Sequence, residues 1–132
     1  MSANQPKTMP EILGLKTAMK TRVVNQPDNY PQIMNHWQFK NASKTKQIDF
    51  AHLFVRSQAD LQYWLPVLKQ QLKMNGMIWV SWIKKSSGIF TDVSENAIRD
   101  FGLSIGLVDV KVCAVSSIWS GLKLVIPIAK RL

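Results

Sequence analysis

Two stretches of this chain are apolar almost without interruption, Ile48–Val55 (IDFAHLFV) and 77–82 (MIWVSW), and a segment with helical spacing lies between them. Successive side chains of a strand point to opposite faces, so a strand that is apolar throughout must be covered on both sides. Two such strands joined by a helix pair in parallel through a right-handed crossover. The stretch from Gly76 to Val125 continues the pattern as strand, basic Ser/Gly loop, helix, strand, short connection and last strand. The expected fold is an α/β three-layer sandwich with a mostly parallel sheet.

The boundaries follow from local chemistry. Ser57, with Asp60 three residues on, caps a helix whose stripe is Leu61, Trp64 or Leu65, Leu68 and Leu72. Pro66 is expected to kink that helix or split it, and Asn75-Gly76 to close it with a left-handed residue. After the strand at 77–82, Asp92 with Glu95, or Ser94, caps a second helix with Ala97, Ile98, Phe101 and Ile105 on its inner face, ended by Gly106. Residues 107–115 alternate, with Val108, Val110, Val112 and Ala114 on one face and Asp109, Lys111 and Cys113 on the other. The last strand, 122–126, stops at Pro127. Only Ser116 to Gly121 separate these two strands, too few for a crossover, so they must run antiparallel.

Upstream, Pro10–Leu13 reads as a short helix ending at Gly14, and Arg22 to Asn25 as a strand. Pro27 to Asn29 mark a turn, Tyr30 to Trp37 a helix, and 38–47 a basic loop with a small edge strand. Residues 1–9 read as a disordered tail and 10–132 as a single domain.

At 132 residues the chain builds one core, and Cys113 alone gives no internal disulfide framework. No stretch is apolar for long enough to span a bilayer and the N-terminus lacks a signal-peptide core, so a cytoplasmic protein with no membrane partner is expected. The formal net charge of +9 favours acidic partners or nucleic acid. Lys40, Lys44, Lys46, Lys84 and Lys85 on one face would make a nucleic-acid patch; spread out, they are a solvated surface.

In open parallel sheets ligands bind beyond the carboxyl ends of the strands. Here those ends carry Asn25, Arg56 with Ser57, and Ser81 to Lys85. The Lys84-Lys85-Ser86-Ser87-Gly88 loop offers cations, hydroxyls and a permissive glycine before a helix start, a combination that can hold a phosphate or carboxylate. The candidate ligand set is Asn25, Arg56, Ser81, Trp82, Lys84, Lys85, Ser87, Thr91 and Trp119. Trp82 and Trp119, at strand ends, either stack on a ligand or lid the core. His52 has no metal-spaced partner and reads as a satisfied core residue; Cys113 lacks a His-Asp pattern and reads as inert; Asp109 and Lys111 read as a pair on one strand face. No catalytic constellation, metal site or cofactor motif is evident.

The order of elements resembles the C-terminal half of a class I, Rossmann-like methyltransferase: a helix ending LKMNG, a strand MIWV, a helix, then an antiparallel strand pair. EILGLKTAMKTRVV is similar to the approach to the first strand of such enzymes. Their first strand leads into a glycine-rich loop that admits S-adenosylmethionine; here it leads into NQPDNY, with no glycine. The resemblance therefore implies a reduced methyltransferase fold without the cofactor loop. A second resemblance rests on Trp79, Trp82, Lys84, Lys85, Ser87, Gly88, Thr91, Asp92, 106–115 and 119–122, similar to the W-V-x-W-P-K-K-x-S-G … G-L-V-D-V-K-V-C-A-V … W-S-G-L signature of a bacterial family of small domains of unknown function. Ile83 stands at that signature's proline and Ser116 at its aspartate. Together these imply a small, non-enzymatic module that binds an anionic small molecule or a protein partner; nucleic-acid binding and a divergent methyltransferase-like enzyme are the alternatives.

Overall fold

Ile48–Val55 and Leu72–Ile83 lie side by side at the centre of a six-stranded sheet in the computed structural model, which describes residues 6–41 and 46–131. The strands are β1 (Lys20–Val24), β2 (Lys40–Asn41), β3 (Ile48–Val55), β4 (Leu72–Ile83), β5 (Val108–Ala114) and β6 (Trp119–Val125), in the spatial order β2-β1-β3-β4-β6-β5. The first four run parallel, and β6 pairs antiparallel with both β4 and β5. The α/β sandwich with an antiparallel finish is the observed architecture.

Strand alternation sorts the core into two layers. Ala51, Leu53 and Val55 of β3 and Ile78, Val80 and Trp82 of β4 face α3 (Gln58–Gln71) and α4 (Glu95–Ser104). Phe50 and Phe54, with Trp79 and Ile83, face α1 (Met9–Leu13) and α2 (Tyr30–Ile33). Trp79 is wholly buried there, and its indole N–H donates to the Leu13 carbonyl at 2.8 Å, tying α1 to the sheet. Thr8 precedes α1, its backbone N–H and hydroxyl both donating to Glu11 Oε1, and Gly14 ends it in the left-handed region. The disordered tail expected over 1–9 thus yields helix at Met9, while residues 1–5 lie outside the described ones.

Ser57 and Ser94 cap α3 and α4 by accepting from the N–H groups of Asp60 and Ala97. Asp92 is no cap; its carboxylate accepts from the Gln58 N–H, joining the two helix starts. Four expectations are corrected. Pro66 does not split the helix: it sits inside a continuous α3, whose Leu61, Leu65 and Leu68, on both sides of it, are buried on the sheet. Asn75-Gly76 does not close that helix: β4 starts at Leu72, and 73–76 loop out where the β3 register skips from Ile48↔Leu72 to Phe50↔Met77. Glycine is required at 76 by a close approach, since a Cβ would sit 2.7 Å from the Ile48 carbonyl. The helix from Tyr30 stops at Ile33, and Asn35 and His36 take positive φ of 52° and 54°, which turns Trp37 off the helix face. In β5 a bulge between Asp109 and Lys111 breaks the alternation, leaving Val110 and Val112 exposed.

Candidate functional site

Among the described residues the C-terminal half of β1 has a free edge: β2 pairs only with Lys20 and Thr21, and none pairs with Arg22–Val24 on that side. A cavity of about 560 Å³ opens there, against Thr21 and Val23 of β1 and under the turn that follows. Gln26, Pro27 and Asp28 form its rim; Tyr30, Pro31, Trp37 and Phe39 complete its walls. Its volume is in the usual range for small-molecule sites, which combine apolar walls with a few convergent polar groups. Here the walls are aromatic, and among the described lining residues Asp28 is the charged one.

The Tyr30 ring is held from behind. It stacks on Phe39 with centroids 5.8 Å apart, and its hydroxyl lies 2.9 Å from His52 Nδ1. His52 Nε2 in turn lies 2.8 Å from Ser81 Oγ, so tyrosine, histidine and serine form one buried chain across α2, β3 and β4. Both hydroxyls can donate or accept, so neutral imidazole is satisfied in either tautomer. Burial with no carboxylate partner lowers the His52 pKa to about 3 and raises that of the Tyr30 phenol. The chain fixes the cavity wall and leaves neither His52 nor Ser81 open to solvent.

A second depression, of about 340 Å³, lies past β4 and is lined by Trp82, Ile83, Lys85, Val93, Ser94, Glu95 and Asn96. Of the nine candidate residues, Trp82 and Lys85 line the second depression and none lines the first cavity. Asn25 is exposed past β1 with φ of 59°. The Arg56 guanidinium lies over the Trp119 ring at 5.2 Å, and Trp119 is buried edge-on against Phe54. Trp82 and Trp119 therefore lid opposite faces of the sheet. Lys84 donates its ammonium to the Ser116 carbonyl at 2.7 Å, Ser87 its hydroxyl to the Lys84 carbonyl and Thr91 its hydroxyl to the Arg56 carbonyl. Asn25, Arg56, Ser81 and Lys84 do not converge on one pocket, because Ser81 points into the sheet towards His52.

Lys46, Lys84 and Lys85 do not share one patch, which is the solvated-surface outcome. Lys46 precedes β3 while Lys84 and Lys85 follow the parallel β4, which places them at opposite ends of strands roughly 25 Å long. Lys44 lies outside the described residues. Asp109 and Lys111 part company at the bulge: Asp109 accepts from Arg99 on α4, which holds its carboxyl below the usual range, and Lys111 reaches the Ile12 carbonyl on the other face. Partial burial raises the Cys113 thiol pKa, against the slight pull of Lys111, so it is a poor nucleophile. Among the described residues no cluster of His, Cys, Asp and Glu is suited to a metal ion, and no helix is long and apolar enough to cross a membrane.

Comparison with solved structures places this geometry. A TehB-like SAM-dependent methyltransferase from Corynebacterium glutamicum superposes with a TM-score of 0.60 at 7% identity, over 95% of this chain and 90% of that one. The fold is that of the Rossmann-like methyltransferases. A ribosomal protein L11 methylase from Lactobacillus delbrueckii subsp. bulgaricus matches at 0.54 and 10% identity, over 88% of this chain and 73% of the other. A SAM-dependent methyltransferase from Aquifex aeolicus matches at 0.52 and 14%, over 89% and 87%. No family model and no curated protein matches the chain, so the small-domain signature read in 79–122 has no support from either.

The cavity residues Asp28, Trp37 and Phe39 escaped the sequence reading. Their signal was an aromatic run after the first strand, Tyr30, Trp37 and Phe39; helical spacing put Trp37 on a buried face, and Phe39 fell in the loop 38–47.

Proposed function

We propose that the chain is a divergent methyltransferase-fold protein that binds a nucleoside-type ligand in the cavity beside β1, with S-adenosylmethionine the first candidate. The observation that carries this is the cavity itself: it lies at the carboxyl end of the first strand of a methyltransferase-like sheet, walled by aromatic rings with one carboxylate at the rim. Flat ring faces stack on a heteroaromatic base and attract a sulfonium or ammonium charge, and Asp28 can accept from ligand hydroxyls or an ammonium. The fit is to the nucleoside half of the cofactor. Residues 25–29 hold no glycine, and Asn25 takes the left-handed conformation in its place, so bare backbone is not offered to an amino-acid tail. S-Adenosylmethionine supplies an electrophilic methyl group when bound; this chain's part is to hold and orient its ring through Trp37, Phe39 and Asp28.

The second reading is an anionic ligand at the Lys84-Lys85 loop. With the Lys84 ammonium bonded to Ser116, that site relies on Lys85, and Glu95 lines the same depression. A thermal-shift panel of S-adenosylmethionine, S-adenosylhomocysteine, adenosine and phosphate separates the two. At a hundred times its dissociation constant a ligand adds about 2.7 kcal/mol of stability. The first reading expects a shift with the nucleosides that Trp37→Ala abolishes and Lys84→Ala/Lys85→Ala preserves. A shift with phosphate alone, lost in the double variant, would replace it with the second.

A further inference from the structure

The net charge of this protein is polarised along the sheet. Lys20 opens β1, Lys46 stands two residues before β3, Lys73 is the second residue of β4, and Lys130 and Arg131 follow β6. Because β1, β3 and β4 are parallel and β6 antiparallel to β4, all of these cations come to one end of the sheet. Lys16, just before β1, joins them. The side chains are exposed apart from the half-buried Arg131. Of the described carboxylates, Asp49 is 3.4 Å from Lys73 and accepts the Lys20 N–H, so it offsets one charge of the row, and Asp109 is held by Arg99; five cations remain unoffset. At the opposite end, where the cavity opens, Arg56, Lys84 and Lys85 are offset by Asp28, Asp60, Asp92 and Glu95.

We infer that the amino-end rim of the sheet is a docking surface for a nucleic-acid backbone, read without sequence preference. The cations form a row, one strand after another, in the order β1, β3, β4, β6. Neighbouring strands are about 4.8 Å apart, so the row is roughly 14 Å long. One strand of a duplex advances about 3.4 Å per phosphate, so about four phosphates can be met. A linear track suits a linear polyanion better than it suits the plane of a bilayer. No described aromatic side chain is exposed at that end; Tyr63 and Phe90, the exposed aromatics, lie on α3 and past β4. Base stacking and base reading are accordingly absent, and phosphate contact supplies the affinity. This surface is independent of the cavity, and either can fail without the other.

The test is fluorescence anisotropy of a labelled duplex of arbitrary sequence, titrated with the full chain at salt concentrations from 50 to 200 mM. Neutralising about four phosphates gives a log–log salt slope of about −3.6, or roughly a hundredfold loss of affinity over that range. Lys46→Ala/Lys73→Ala should halve the slope, Lys20→Ala/Lys130→Ala should do the same, and Lys84→Ala/Lys85→Ala, at the far end, should leave it unchanged. Circular dichroism checks that each variant is folded. A salt-insensitive signal, no binding, or equal weakening by the Lys84/Lys85 variant would overturn the inference. So would capture by phosphatidylserine vesicles with no binding of the duplex.

Discussion

Acidification should destabilise this protein well before its carboxylates titrate, and the reason is His52. The imidazole is wholly buried between Phe50 and Phe54, with a hydroxyl on each nitrogen and no negative charge beside it. Its pKa is about 3 in the folded protein against 6.5 in the unfolded chain. Below 6.5 the unfolded chain therefore binds a proton that the folded one refuses. The stability contributed by neutral His52 is complete above 6.5 and lost as pH falls from there towards 3. At pH 5 the loss is about 2 kcal/mol, which for a domain of this size lowers Tm by roughly 8 °C. The assay is thermal unfolding by circular dichroism between pH 7.5 and 5. Glu11 and Asp109, whose carboxyls are held below their usual range, contribute only at lower pH. His52→Gln keeps polar atoms near Tyr30 and Ser81 but cannot titrate; it should be less stable at pH 7.5 and lack the acid slope. A wild-type Tm that is flat down to pH 5, or a His52→Gln slope equal to the wild type's, would refute the buried neutral histidine.

Two further substitutions probe the scaffold. Gly76→Ala drives a Cβ against the Ile48 carbonyl and the Leu72 side chain, and should cost about 2 kcal/mol by urea unfolding; a neutral result would mean that the looped-out 73–76 segment yields freely. Ser57→Ala removes the hydroxyl that accepts the Asp60 N–H and should cost about 1 kcal/mol, while Ser57→Asp, which restores an acceptor, should recover most of it.

The parts of the fold that were legible are those in which local chemistry and burial agree. β3 is apolar on both faces and is covered on both, and Ser57, Ser94 and Gly106 end helices as their side chains and φ preferences demand. Gly76 misled because Asn-Gly before a strand looks the same whether it ends a helix or opens a bulge; only the carbonyl of Ile48, nearly thirty residues earlier in the chain, decides. Pro66 does not split α3 because sheet packing on both sides of it outweighs one lost backbone hydrogen bond. Ser81 was placed at the carboxyl rim by its position in β4, but alternation aims it at His52 on the neighbouring strand. The cavity was invisible for a related reason: it lies beside β1 beyond the two described residues of β2, and the pairing of an edge strand in a weakly patterned loop is not written in local sequence.

The direct test of the cavity assignment is a ¹⁵N chemical-shift map of the full chain titrated with S-adenosylhomocysteine. The account predicts perturbations concentrated over residues 21–39, with the Trp37 indole signal among the largest and Lys84 to Thr91 unmoved. Perturbations confined to 84–96, or none at saturating ligand, would contradict it.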